Sequence, residues 1–275
     1  MPIIVEDVSF CYAINTQSES MVLDRVSLQI EDGEFLVIMG EIGSGKSTLI
    51  KHFNGLLQPF SGKVRVDGHN AASVQSRKLI GMLFQFPQQQ LFGRTVFEDI
   101  AFGPSNFGTS GQELSLQVSR SLKLVGLDEN MASRSPFSLS NGHMRLVAIA
   151  GILAASPKYI VLDEPFTGLD PKSRNEMLKV LEQAHATGVT VVIVTHNLDH
   201  VLPIATNLIF MEKGKVIFEG TPEAYFSSSP SKLPDIPQLM KELRKCGIGV
   251  GEGIFSVEAA FEEIMRIKRI ETAYE

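Results

Sequence analysis

Three groups of residues in this chain have the types and spacing to handle a phosphorylated substrate. Residues 40–47 read GEIGSGKS and fit the pattern GxxxxGK[ST]. The run FLVIM precedes them and STLIKHF follows, so the segment joins an expected strand to an expected helix. Gly40, Gly43 and Gly45 let backbone N–H groups close around phosphate oxygens without Cβ clashes. Glu41, Ile42 and Ser44 complete the loop, and Thr48 follows it in the helix, whose N-terminus adds partial positive charge. Lys46 can reach β- and γ-phosphates, and the Ser47 hydroxyl can ligate Mg²⁺. A Gly-rich turn would explain the pattern alone; the strand and helix flanks favour the phosphate loop.

The second group is residues 159–164, YIVLDE, four apolar residues followed by two carboxylates. A buried strand ending in Asp163 puts that carboxylate near a Mg²⁺ shell. Glu164 is then placed to orient or deprotonate an attacking water. The third group lies at other strand ends. His196 closes VVIVTH and can contact a γ-phosphate at the same sheet edge, and Gln85 closes IGMLFQ, where its amide can touch Mg²⁺ or the water. Each of these two would mean little in isolation.

The elements that must position these groups alternate between strand and helix patterns. Residues 3–8, 26–30, 35–39, 63–66 and 80–85 read as strands, and 47–54 as a helix. The stretch 95–155 is helical in character, with helices expected over 114–125 and 139–153. Continuous apolar runs return at 159–162 and 190–194, as in buried parallel strands, with an amphipathic helix over 171–185 between them. Residues 207–219 read as a hairpin turning at Lys213–Gly214. A Ser/Pro-rich break at 227–237 precedes a mostly helical tail. The expected plan is an α/β nucleotide domain over 1–226 and a helical C-terminal extension over 227–275.

Composition narrows the setting. The net charge of −6 gives no electrostatic footprint for nucleic acid. Cys11 and Cys246 have no metal-ligand spacing, in keeping with a reducing compartment. The start, MPIIVEDVSF, lacks the basic and long apolar regions of a signal peptide. The most apolar stretch, LVAIAGILAA, is about half the ~20 residues of a membrane-spanning helix. Any membrane role is therefore expected to pass through a partner.

The order of these elements resembles the ATP-binding cassette (ABC) family over about residues 3–226. The phosphate loop, Gln85 of a Q-loop in LFQFPQQQLF, LSNGH at 139–143 for the signature, GLD at 168–170 for the D-loop, and the switch histidine His196 appear in family order. Tyr12 stands where the family stacks an aromatic ring on adenine; Phe10 competes, and either can be simple core packing. The resemblance implies an α/β P-loop fold with a RecA-like core, an antiparallel β subdomain and a helical insertion. It implies ATP and Mg²⁺, with Ser47, Gln85 and Asp163 at the metal and Asp170 in the D-loop. It also implies a head-to-tail dimer in which Ser140, Asn141, Gly142 and His143 act on the partner's ATP.

FQFPQQQLF followed by TVFEDIAFGP, and the tail LPDIPQLMKELRKCGI, are similar to the ATPases of energy-coupling factor (ECF) importers of vitamins or metal ions. That likeness implies integral membrane partners, a position on the cytoplasmic face of the membrane and a dimerising C-terminal extension. The signature departs from the usual LSGGQ at Asn141 and His143; Asn tolerates left-handed angles, so the segment is expected to keep its shape. The altered signature favours a heterodimer with a related ATPase, a homodimer being the alternative. Two other functions compete: an ABC ATPase of assembly or repair, and a regulatory module without turnover. Acidic charge and the ECF-like segment argue against the first, Glu164 and His196 against the second.

Overall fold

The computed structural model describes residues 2–12, 21–196, 198, 200–227, 235–251, 253–255 and 257–273. Ile3–Phe10 (β1) and Leu23–Ile30 (β2) carry interspersed buried and exposed positions, the mark of strands with one face on a core. Phe35–Gly40 (β3) is buried from Phe35 to Ile38 and feeds the glycine-rich loop into Lys46–Phe53 (α1). Ser61–Val66 (β4) and His69–Asn70 (β5) complete a four-stranded antiparallel sheet of order β2-β1-β4-β5. Val74–Leu79 (α2) then leads into Ile80–Leu83 (β6).

The helical insertion consists of Val96–Asn106 (α3), Gly111–Leu124 (α4) and Asn141–Ala154 (α5). Thr95 caps α3, accepting a hydrogen bond from the Glu98 N–H, and Ser140 caps α5 through the His143 N–H. The chain continues through Tyr159–Asp163 (β7), Pro171–Ala186 (α6) and Thr190–Val194 (β8). Asn207–Glu212 (β9) and Lys215–Gly220 (β10) form the expected hairpin, with Lys213 and Gly214 both at positive φ. The second sheet has the order β10-β9-β3-β8-β7-β6, and β9, β3, β8, β7 and β6 run parallel.

Two cores explain why these strands lack polar alternation. Leu36, Ile38, Tyr159, Val161, Val192 and Val194 pack toward α1 and the antiparallel sheet. Their neighbours Phe35, Val37, Ile160, Leu162, Val191 and Ile193 pack toward the helical insertion and α6. Each strand is apolar on both faces because both are covered. Each buried aliphatic side chain contributes about 1.5–3 kcal/mol relative to exposure. Pro222–Ser227 (α7), Asp235–Lys245 (α8) and Val257–Ala273 (α9) follow, the last two around a small cluster of Met240, Val250 and Ala260.

Three expectations need correction. The strand expected over 80–85 stops at Leu83. The Gln90 side chain takes the next backbone groups, accepting from Phe84 N–H at 2.9 Å and donating to Met82 O at 3.0 Å, and so ends the strand short of Gln85. The helix expected from 139 starts at Asn141, because Ser140 is extended and serves as its cap. Asn141 is therefore helical, and its tolerance of left-handed angles is not used. Of the Ser/Pro-rich break, residues 228–234 lie outside the described residues, while 235–237 belong to α8.

Candidate functional site

The parallel strands converge their C-terminal ends on the loop between β3 and α1. Gly40, Gly43 and Gly45 all have positive φ, at 150°, 81° and 100°. A Cβ on Gly40 would lie 2.1 Å from Met211 O, and one on Gly45 2.7 Å from Val22 O, so neighbouring backbone closes both positions to larger residues. Gly43 has open space around it, so there the conformation alone calls for glycine. The loop wraps the Lys46 ammonium, which donates to Gly40 O at 2.9 Å, Glu41 O at 2.7 Å and Ser44 Oγ at 3.3 Å. Burial lowers the Lys46 pKa, and the charges of Glu164 and Asp163 oppose that shift. Ile42 is fully exposed at the loop tip.

Ser47 and Asp163 arrive from different elements and meet: Ser47 Oγ donates to Asp163 Oδ1 at 3.0 Å. Asp163 is buried at the end of β7, and burial raises its pKa, partly offset by the Ser47 hydrogen bond. A buried carboxylate beside a hydroxyl is an oxygen donor set of the kind Mg²⁺ takes, and a dication there would compensate the desolvated charge.

Glu164 follows with φ at 48°, a left-handed angle uncommon for a side chain of this size. Such a conformation costs about 1–3 kcal/mol and persists only where the surroundings enforce it. They do so at several points. The Glu164 N–H donates to Val194 O at 2.8 Å. Glu164 Oε1 accepts from His196 N at 3.1 Å and faces His196 Nδ1 at 2.8 Å. Oε2 accepts from Thr195 Oγ1 at 3.2 Å and from Thr167 Oγ1 at 3.4 Å. The Glu164 side chain is 14% exposed and that of His196 67%, so the carboxylate is sheltered while the imidazole reaches solvent. A fixed carboxylate next to an exposed ring nitrogen can hold and accept protons from a water.

The other expected residues fall into two places. Tyr12 lies at the loop: its hydroxyl is 3.0 Å from Thr48 Oγ1, and its ring meets Phe10 edge-on at 5.0 Å. Tyr12 is 62% exposed, whereas Phe10 is half-buried against His52. Gln85 is exposed, two residues past the end of β6. Ser140, Asn141, Gly142 and His143 instead form the N-terminus of α5. There Ser140 Oγ is 3.1 Å from His143 Nδ1, and a Cβ on Gly142 would lie 2.6 Å from Ser173 Oγ. Asp170 caps α6, accepting from Ser173 N at 3.0 Å and Ser173 Oγ at 2.6 Å. The structure thus brings Lys46, Ser47, Asp163, Glu164 and His196 together and groups the signature segment with Ser173, two residues inside α6.

Residues 23–167 match the family described as ABC transporter. A protein of Methanosarcina acetivorans, provisionally named an ABC transporter ATP-binding protein, is 49% identical over 98% of this chain and 95% of its own length. The energy-coupling factor transporter ATP-binding protein EcfA2 of Caldanaerobacter subterraneus subsp. tengcongensis is 41% identical over 98% of each chain. The solved structure of cbiO1 from Clostridium perfringens, part of the ABC transporter complex cbiONQ, is 34% identical. It superposes with a TM-score of 0.72 over 87% of this chain and 98% of its own.

This chain is an ABC transporter ATPase.

As an ABC ATPase it uses ATP and Mg²⁺ and works with transporter subunits. The glycine-rich loop and the strand-end carboxylates are legible as motifs; two further groups that bond the Glu164 segment are not. Thr195, one residue before His196, bonds the Glu164 carboxylate. Arg145, on α5, donates through Nη1 to the main-chain oxygens of Glu164 and Pro165. An isolated threonine or arginine has no sequence pattern that announces such contacts.

Proposed function

We propose that this chain is the ATP-hydrolysing subunit of an energy-coupling factor importer. In this reading it sits peripherally on the cytoplasmic face of a membrane and powers uptake of a vitamin or transition-metal ion through membrane subunits. The observation that carries hydrolysis is the Glu164 carboxylate held by His196 and Thr195, beside the Ser47–Asp163 pair. Lys46 and the backbone of residues 40–48 take the phosphates, and Tyr12 stacks on the adenine. Ser47, Asp163 and Gln85 would hold Mg²⁺, which when bound would supply positive charge to neutralise the phosphates. Glu164 holds the attacking water and takes its proton, while His196 contacts the γ-phosphate. No helix among the described residues is long and apolar enough to cross a membrane, which fits a subunit that works through partners.

The docking surface in this reading lies around the Q-loop. Phe86, Phe92 and Phe102 are exposed, with the Phe92 and Phe102 rings 4.7 Å apart, while Leu91 between them is buried. A core-covering loop would bury the aromatics; an interface presents them. Phe92→Asp in the assembled transporter is expected to abolish ATP-driven uptake and leave nucleotide binding within about twofold of the parent. Loss of ATP binding or of folding would assign Phe92 to the core instead. Isolation of the tagged chain from native membranes is expected to bring integral membrane subunits with it.

The dimer in this reading is head to tail, with Ser140–His143 closing the partner's ATP site. Asn141 and His143 weaken that half, so a related ATPase with an intact signature makes the better partner. The segment 227–275 is assigned to dimerisation: Val257, Phe261 and Ile264 lie at i, i+4 and i+7 on α9 and are exposed. Restoring the family residues with Asn141→Gly and His143→Gln in the purified single chain is expected to raise ATPase activity severalfold. Unchanged activity, with strong homodimeric turnover of the parent, would remove the case for a heterodimer.

A further inference from the structure

The helix that starts at the signature segment carries a charged group into the protein interior. Arg145 lies on the second turn of α5, buried alongside Leu146, Val147 and Ile149. Burial pushes its pKa down. A buried guanidinium is usually compensated by a carboxylate. Among the described residues, those that bond Arg145 offer main-chain oxygens instead. Nη1 donates to Pro165 O and, at 3.4 Å, to Glu164 O, and Nε has no hydrogen-bond partner.

Those two carbonyls belong to the turn that gives Glu164 its left-handed angle. The Glu164 N–H is held by Val194 O, and the carboxylate by Thr195 and His196. Arg145 restrains the remaining side of the residue, the carbonyls that leave it. An aliphatic side chain of similar volume would fill this space without burying a charge, so the guanidinium is retained at an energetic disadvantage that packing alone does not explain.

We propose that Arg145 is a positioning residue for ATP hydrolysis. By holding the Glu164 and Pro165 carbonyls it keeps Glu164 left-handed and its carboxylate turned toward His196 and Thr195. This rests on the catalytic role given to Glu164 above. The consequence reaches across the dimer. The helix whose first turn meets the partner's ATP fixes the carboxylate that serves this chain's own ATP. A shift of α5 on engaging the partner is felt at Glu164 through one side chain.

The test uses the full chain assembled with its transporter partners. Lysine at position 145 keeps the charge but not the planar fork, and glutamine keeps a neutral donor. Arg145→Lys and Arg145→Gln are each expected to lower kcat at least tenfold and leave the KM for ATP within about twofold. In a Glu164→Gln background, Arg145→Lys is expected to leave the residual single-turnover rate unchanged, because both changes act through one carboxylate. Near-parental kcat in both variants would overturn the proposal. So would an equal fold loss in both backgrounds, a rise in KM at constant kcat, or failure of both variants to fold, each of which marks a packing role. Full turnover by Glu164→Gln alone would instead remove the catalytic role of Glu164, and that result is read before position 145 is changed.

Discussion

Glu164→Gln is expected to bind ATP as tightly as the parent and to hydrolyse it about 10²–10⁴-fold more slowly, the range over which a positioned base contributes. Glutamine matches the carboxylate in size: with its carbonyl oxygen in the Oε1 position it still accepts from the His196 N–H, and its amide nitrogen can donate to Thr195 Oγ1. What disappears is the capacity to accept a proton. The phosphate loop is untouched, so binding should hold. Steady-state ATPase activity of the assembled transporter, alongside equilibrium nucleotide binding, separates the two quantities. Turnover near the parental rate would mean that another group activates the water.

Lys46→Ala is expected to act earlier, on binding itself. The Lys46 ammonium is held by Gly40 O, Glu41 O and Ser44 Oγ, so it waits in place for an anion rather than being recruited from solvent. Hydrogen bonds to charged groups are worth about 1.5–3 kcal/mol each, so losing one from the bound phosphates weakens ATP roughly ten- to hundredfold. Its removal also strips donors from the two loop carbonyls. Thermal melting without nucleotide therefore accompanies the titration, to separate a disturbed loop from a lost contact. ATP affinity unchanged in a normally melting variant would place the phosphate charge partner elsewhere.

The parts of this site that were legible in the sequence are those encoded locally. FLVIM, YIVL and VVIV are apolar throughout because each strand separates two cores, so polar or titratable residues at their C-terminal ends mark the edge of the sheet. Asp163, Glu164 and His196 could be found for that reason. Gln85 reads as a strand end because the run from Met82 to Gln85 holds no glycine or proline; the strand ends two residues earlier because Gln90, seven residues beyond Leu83, bonds the backbone there. Nothing in the run itself encodes that competition. The left-handed angle of Glu164 is likewise invisible, since glutamate carries no preference for it and the enforcing groups lie on β8 and α5. Asp170, read as part of a D-loop, is also the cap of α6, with Pro171 in the first turn.

The turn between β9 and β10 is more than a reversal of the chain. Gly214 N–H donates to Ser44 O at 3.1 Å, inside the phosphate loop, and Asp24 N–H on β2 donates to Gly214 O at 2.9 Å. One peptide unit on either side of Gly214 therefore pins the loop to the antiparallel sheet, and a Cβ there would meet Val22 O at 2.7 Å. Exposed hairpin tips are ordinarily where a chain accepts added residues, purification tags or a new terminus. Here the tip is a keystone between two sheets. A lengthened turn would loosen the nucleotide loop some 170 positions earlier in the chain, so the hairpin's length is under the same constraint as the glycines it leans on.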